Sequence, residues 1–272
     1  MIGRTARLEL LFEARRGRTL LAHAYAEPPF RIGRTFDVDG AAYVILVCAG
    51  PGIFAGDALQ LSIRVGPGAR VVLTSQSALQ VHPSAAPLPA VIRHRYVVED
   101  EGELHAHWDP VIPFARARLD QRFDLRIGEG SRLYWSDALM SGRVSHAERW
   151  SFDSLVHELR LRIGASVKYL ERYALTPNDR PLAHPWIAGS ADYAATAMAY
   201  HERATADAAE SLQRTMASGG DGMQVGVDLI DSRLLLGRLL GSSGAPFAAA
   251  RASYQKLVLA SIFDRPHQAL RK

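Results

Sequence analysis

From residue 6 to about residue 175, apolar side chains return at every second position, and glycine-rich turns break the runs. In "LQLSIRV", Leu59, Leu61, Ile63 and Val65 share one side, while Gln60, Ser62 and Arg64 share the other. A period of two marks a strand with one buried face and is out of step with a helical stripe. "GPG" at 66–68 turns this run into "ARVVLTSQ", "GEG" at 128–130 turns "RFDLRI" into "SRLYWSD", and "HELRLRIG" leads into "SVKYLERYAL". Many short strands joined in this way predict a mainly β body. No repeat of fixed length is visible, so a solenoid with a sharp sequence code is not expected.

The segment "TPNDRPLAHPW", 176–186, holds three prolines and reads as a long loop, because proline cannot donate to a central ladder. Beyond it, "ADYAATAMAY", "MQVGVDLI" and "RLLLGRLLG" read as strands. "ATADAAESLQRTMAS" and "APFAAARASYQKLVLASIF" predict two helices toward the C-terminus. The expected organisation is one domain over 1–272, with 176–186 as the only candidate boundary.

At 272 residues the chain can bury roughly three quarters of its unfolded surface, so its core needs no staples. Cys48, the single cysteine, excludes a disulfide framework. No signal-peptide pattern opens the sequence, and no run reaches the ~18 apolar residues of a membrane helix. A cytoplasmic protein with no membrane partner is the expectation. The formal charge is +4, and only three of the 32 cationic residues are lysines. The 29 arginines are scattered with no polybasic run, so nucleic acid is not an expected partner unless folding gathers them on one face.

"CAGPGIFAGD", 48–57, follows the apolar run "AAYVILV" and invites a phosphate-loop reading. Such a loop needs a helix whose N-terminal amides meet the phosphate, yet "ALQLSIRV" leaves the turn as a strand, and no "GK[ST]" exists in the chain. Two readings remain. Gly50, Gly52 and Gly56 take positive φ in a tight connection with Asp57 accepting backbone hydrogen bonds, or the rigid loop presents Asp57 to a partner.

The most metal-like stretch is "GELHAHWD". On a strand Glu103, His105 and His107 project from one face, and carboxylate plus imidazole suits nickel or zinc. The competing reading is imidazoles on a solvated strand face. His94 and His146 read as surface or turn residues, and Ser136–Asp137 as a turn-like pair. No "GxSxG", no "HExxH" and no motif-paired cysteine and histidine point to catalysis, so a non-enzyme is expected.

Three ordered segments resemble the urease accessory protein UreD family, called UreH in some lineages. "GPGIFAGDALQLSIRVGPGARVVLTSQSALQVHPS" is similar to its glycine-rich turn, alternating strand and "gpGA" turn. "DPVIPFARARLDQ" is similar to its "P.IPF.GAR" segment through Pro113, Phe114, Ala117 and Arg118. "SGRVSHAERWSF" is similar to its "GR...GE.W.F" segment through Gly142, Arg143, Glu148, Trp150 and Phe152. The chain departs from the pattern at Pro51, His82, Arg116 and Ala147, and in "LHAHWDP". The resemblance implies an elongated, stacked-sheet or β-helix-like body. It also implies a non-catalytic maturation factor, a chaperone of metallocentre assembly that docks the urease apoenzyme and UreF, with UreG held through UreF, and helps relay nickel. Nickel would bind only transiently, with no tightly bound cofactor. In this reading Asp57, Arg118, Arg143 and Glu148 serve partner contact or relay, while from the residues alone the favoured reading of the last three is a structural ion pair or a backbone-satisfying group near a strand end. The alternative is a metal- or ligand-binding β protein unconnected to urease, using Glu103, His105 and His107.

Overall fold

The computed structural model describes residues 3–83, 87–217 and 222–265. The chain enters through β1 (Thr5–Arg15), β2 (Arg18–Ala26), β3 (Phe30–Ile32) and β4 (Phe36–Val38) and reaches β5 (Ala41–Cys48). It then winds through β6 (Ala58–Val65), β7 (Arg70–Ser75), β8 (Leu79–Val81), β9 (Ala90–Val98), β10 (Glu103–His107), β11 (Val111–Pro113), β12 (Arg118–Ile127), β13 (Arg132–Met140) and β14 (Ser154–Ile163). It ends in β15 (Ser166–Leu175), β16 (Tyr193–Tyr200), α1 (Ala206–Ala217), β17 (Met223–Asp231), β18 (Leu234–Gly241) and α2 (Gly244–Ser261). The strand-rich body and both expected helices are present, and 176–192 is free of strand and helix.

Between β5 and β14 the long strands alternate between two sheets, with the short β8 and β11 off that path. The first has the order β15-β14-β12-β9-β6-β1-β2, and the second β17-β18-β16-β13-β10-β7-β5-β3. In the first, β6, β9, β12 and β14 run parallel; in the second, β5, β7, β10 and β13 do. Each winding therefore adds one strand to each sheet, which is the stacked, β-helix-like body that the motif likeness implies. β8 and β11 pair in parallel as a short third side. β16 joins β13 in the same second sheet after the proline-rich loop.

The turns explain the stacking. Ala69 N–H donates to Gly66 O at 3.1 Å, Gly102 to Glu99 O at 2.8 Å, and Ser131 to Gly128 O at 3.1 Å. Three like turns thus stack at one end of the body, at sequence intervals too uneven to read as a repeat. The inward positions of both sheets form the main core, with Phe12, Ile63, Val65, Leu125, Ile127, Leu133 and Trp135 among them. The Trp135 ring meets Tyr96 and Phe123 edge-on, with centroids 5.0 and 5.3 Å away. The outer face of the second sheet is covered by the helices, where Leu212, Phe247, Tyr254, Val258 and Leu259 pack with Tyr134, Ala197 and Leu239. No helix among the described residues is long and apolar enough to cross a membrane.

Two expectations are corrected. Ser136 and Asp137 lie within β13, not in a turn, because "YWSDALM" keeps the strand alternation and sends Trp135 and Asp137 inward. His94 is an inward residue of β9 and not a turn or surface residue, since it shares the parity of Ile92 and Tyr96. His146 does lie exposed in a short 3-10 turn, Val144–His146.

Candidate functional site

The end opposite the stacked turns is built from the three glycine- and proline-rich segments, and backbone hydrogen bonds lace them together. Ile53 N–H donates to Gln80 O at 2.9 Å, His82 to Ile53 O at 2.8 Å, and Phe114 to Val81 O at 2.9 Å. Ala115 N–H then reaches the Glu148 carboxylate at 3.1 Å. Gly52, with φ of +130°, is required here, because a Cβ would lie 2.3 Å from Gln80 O. Gly142, with φ of +143°, is required likewise: its Cβ would lie 1.9 Å from Glu148 O and 3.3 Å from Pro113 O. Gly50 and Gly56 also have positive φ, as the sequence predicts.

Asp57 is buried within this lacework, 4% exposed. Its carboxylate accepts from Arg4 N–H at 2.8 Å and Phe54 N–H at 3.0 Å, tying the start of β1 to the glycine loop. Arg118 pairs with Asp153 at 3.0 Å. Arg143 donates through Nε to Glu148 at 2.7 Å and lies over the Phe114 ring at 4.1 Å. The Arg143 guanidinium holds the Glu148 carboxyl below its ordinary range. Phe114 continues into His82, 4.8 Å away edge-on, and His82 stacks on exposed Phe54 at 4.4 Å. Trp150 N–H donates to Ser141 O at 2.8 Å, and its ring meets Phe152. The family-like residues, distant in sequence, are therefore one contiguous cluster of aromatic and ionic contacts, with Phe54 exposed at its rim and Asp57, Phe114 and Phe152 buried.

Behind that surface, between the sheets, lies a cavity of about 180 Å3. Exposed Gly50, Pro51, Gln76 and Ser77 frame its mouth, while His94, Gln121, Phe123 and Asp137 line its depth. No side chain among the described residues pairs with the Asp137 carboxyl, and the buried Gln121 Oε1 has no hydrogen-bond partner among them either. Protein surrounds Asp137 on all sides even where the cavity leaves it accessible. Burial, reinforced by the Glu171 charge, pushes its carboxyl up to about 7. Burial also lowers His94 to about 3 and His157 to about 4, so both imidazoles are neutral at physiological pH. His157 Nδ1 shares a 2.8 Å hydrogen bond with Gln121 Nε2, and its ring stacks on Tyr173. The cavity wall thus offers unpaired oxygen acceptors and a neutral imidazole, a borderline donor set for a divalent first-row ion.

Glu103, His105 and His107 lie elsewhere, on the helix-covered outer face of the second sheet. Glu103 and His105 are buried, 3.1 Å apart, with Arg132 and Arg265 nearby, and His105 packs edge-on to Phe263. Burial works to raise the Glu103 carboxyl, but His105 and Arg265 outweigh it and hold it at about 2. The solvated-face reading is corrected by this packing under the end of α2. No cluster of three or more His, Cys, Asp or Glu able to hold a metal is found among the described residues.

Comparison with known proteins matches residues 4–272 to the family model "UreD urease accessory protein". A urease accessory protein UreD of Sorangium cellulosum is 36% identical over 77% of this chain and 66% of the relative. That of Halalkalibacterium halodurans is 35% identical over 64% and 65%. The chain spans just under two thirds of the length of these two relatives. A UreD 2 protein of Streptomyces griseus is 27% identical over 97% of this chain and 92% of the relative.

Proposed function

The chain belongs to the UreD urease accessory protein family, and on that premise we propose that it is a non-catalytic assembly factor that passes nickel, as cargo, through its inter-sheet cavity during urease maturation. The observation that carries this reading is Asp137, an unpaired carboxyl poised near neutrality in a cavity whose mouth is framed by the family-like loops. A carboxyl of this acidity loses its proton when a divalent cation approaches and regains it when the cation leaves. Gln121 and His94 add an oxygen and an imidazole without a second full charge, which keeps the hold weak enough for release. Around the mouth, Phe54, His82 and Arg143, backed by buried Phe114, form the aromatic and cationic surface suited to a protein partner. The partners in this reading are the urease apoenzyme and UreF, with UreG held through UreF, in the cytoplasm.

The test is co-expression of the tagged chain with UreF, UreG and urease, scored for co-purification and nickel-dependent urease activity. Asp137→Ala should leave co-purification intact and lower activation at limiting nickel, and Asp137→Glu should recover part of it. Full activation with Asp137→Ala, or with the chain omitted, would overturn the proposal.

A further inference from the structure

We infer that the bare outer face of the first sheet is a docking surface for an acidic segment of a protein partner. Strand register aligns side chains that the sequence scatters. Arg93 sits beside Arg122, Arg95 beside Asp124, and Arg126 beside Arg162. Neighbouring strands are about 4.8 Å apart, so these guanidiniums form rows across the sheet. A groove of about 470 Å3 runs over them, lined by Arg7, Arg93, Arg95, Arg122 and Arg160.

The ion pairing on this face is lopsided. Asp120 is shared by Arg93 and Arg122, Asp124 by Arg126 and Arg162, and Glu158 by Arg160 and Arg172. Arg95 is exposed and has no ion-pair partner among the described residues. Leaving aside Arg7 with Glu27 and Arg118 with Asp153, which pair one to one, these seven arginines face three shared carboxylates and Glu9, so the face carries an excess of positive charge. Because each carboxylate is divided between two arginines and Arg95 has none among the described residues, positive charge remains for further carboxylates, which the planar guanidinium fork can bind bidentately.

The intervening acids decide the class of partner. Glu158 separates Arg122 from Arg172 and Asp124 separates Arg95 from Arg160, and with Asp120 nearby these acids would repel a continuous phosphodiester backbone. Spaced carboxylates of an Asp- and Glu-rich segment can instead slot between the guanidiniums. This inference concerns a surface separate from the cavity and does not rest on the nickel reading.

The experiment titrates the purified full chain with a fluorescent polyglutamate peptide and with single-stranded DNA of equal charge, read by anisotropy between about 50 and 300 mM salt. Saturable peptide binding that weakens with salt, and that falls at least about tenfold in the Arg95→Glu/Arg122→Glu variant, is expected. Arg95→Gln, which breaks no ion pair, should weaken binding severalfold with an unchanged melting temperature. Absence of saturable peptide binding, equal affinity in the variants, or tighter binding of the DNA would overturn the inference.

Discussion

The two halves of the space between the sheets are lined by the same strands and differ in kind. Toward the stacked turns, β12 contributes Phe123, Leu125 and Ile127 and β13 contributes Leu133 and Trp135, all packed in the main core. Toward the family-like loops, the next inward position of each strand is Gln121 or Asp137, and β9 adds His94. Two residues along a strand carry the interior from close-packed to polar and accessible. Beyond the polar positions a smaller apolar cluster of Leu59, Ile92, Leu119, Leu139 and Leu155 closes the loop end, so packed layers on both sides hold the register around groups that burial disfavours. Stability and chemistry are thus separated along the strand axis rather than between domains.

The sharpest way to break this comparison is to empty the dry half. Trp135→Ala should lower unfolding free energy in urea by about 3–5 kcal/mol, because the void left beside Tyr96 and Phe123 cannot collapse within stacked strands. A loss under about 1 kcal/mol would mean that the dry half does not hold the fold.

Next in size is the lacework around the mouth. Gly142→Ala should cost about 2–3 kcal/mol through left-handed backbone strain and the clash with Glu148 O. Urea unfolding combined with activation assays would show whether the mouth tolerates displacement.

In the polar half the sign reverses. Asp137 has a folded pKa raised from 3.8 to about 7, so its contribution to stability is full below about pH 4 and is lost as pH rises through 7. Asp137→Asn should therefore be more stable than the native chain at pH 8, on the order of 2 kcal/mol, with the gain shrinking toward pH 4. Thermal melts at the two pH values measure the difference, and a pH-independent difference would refute the assignment. His94 and His157 have depressed folded values, so their contribution is present above about pH 6.5 and is lost as pH falls.

The smallest expected effect is at the surface. Arg143→Ala should change stability least of these variants, since its pair with Glu148 is partly solvated. Loss of UreF or urease co-purification at unchanged stability would assign Arg143 to partner contact, whereas retention would leave it a structural pair.

Much of this was legible in the sequence, for a physical reason. Alternation and glycine turns act locally, so the strands, both helices and the proline-rich loop could be read directly, as could the positive φ of Gly50, Gly52 and Gly56. What alternation reports is only inward or outward. Whether an inward position meets packed Leu125 or the cavity beside Gln121 depends on neighbouring rungs about thirty residues away, such as Ile92 beside Gln121. That is why the sequence alone suggests turn or surface positions for Asp137 and His94, with "SD" mimicking turn chemistry. The rows of arginine were hidden for the same reason, because only the register places Arg93 beside Arg122.

The turn at Gly164 begins as the others do, its N–H donating to Ile127 O at 2.9 Å, yet the chain then doubles back as β15 instead of crossing to the second sheet. A stack of parallel rungs has no internal length limit, and its open end would recruit another copy edge to edge. Antiparallel β15 closes one end of the first sheet with Lys168 and Arg172 exposed along it, and antiparallel β2 closes the other. The parallel rungs of the first sheet therefore end in hairpin strands of opposite direction, and the cations on β15 disfavour pairing of that edge with another copy.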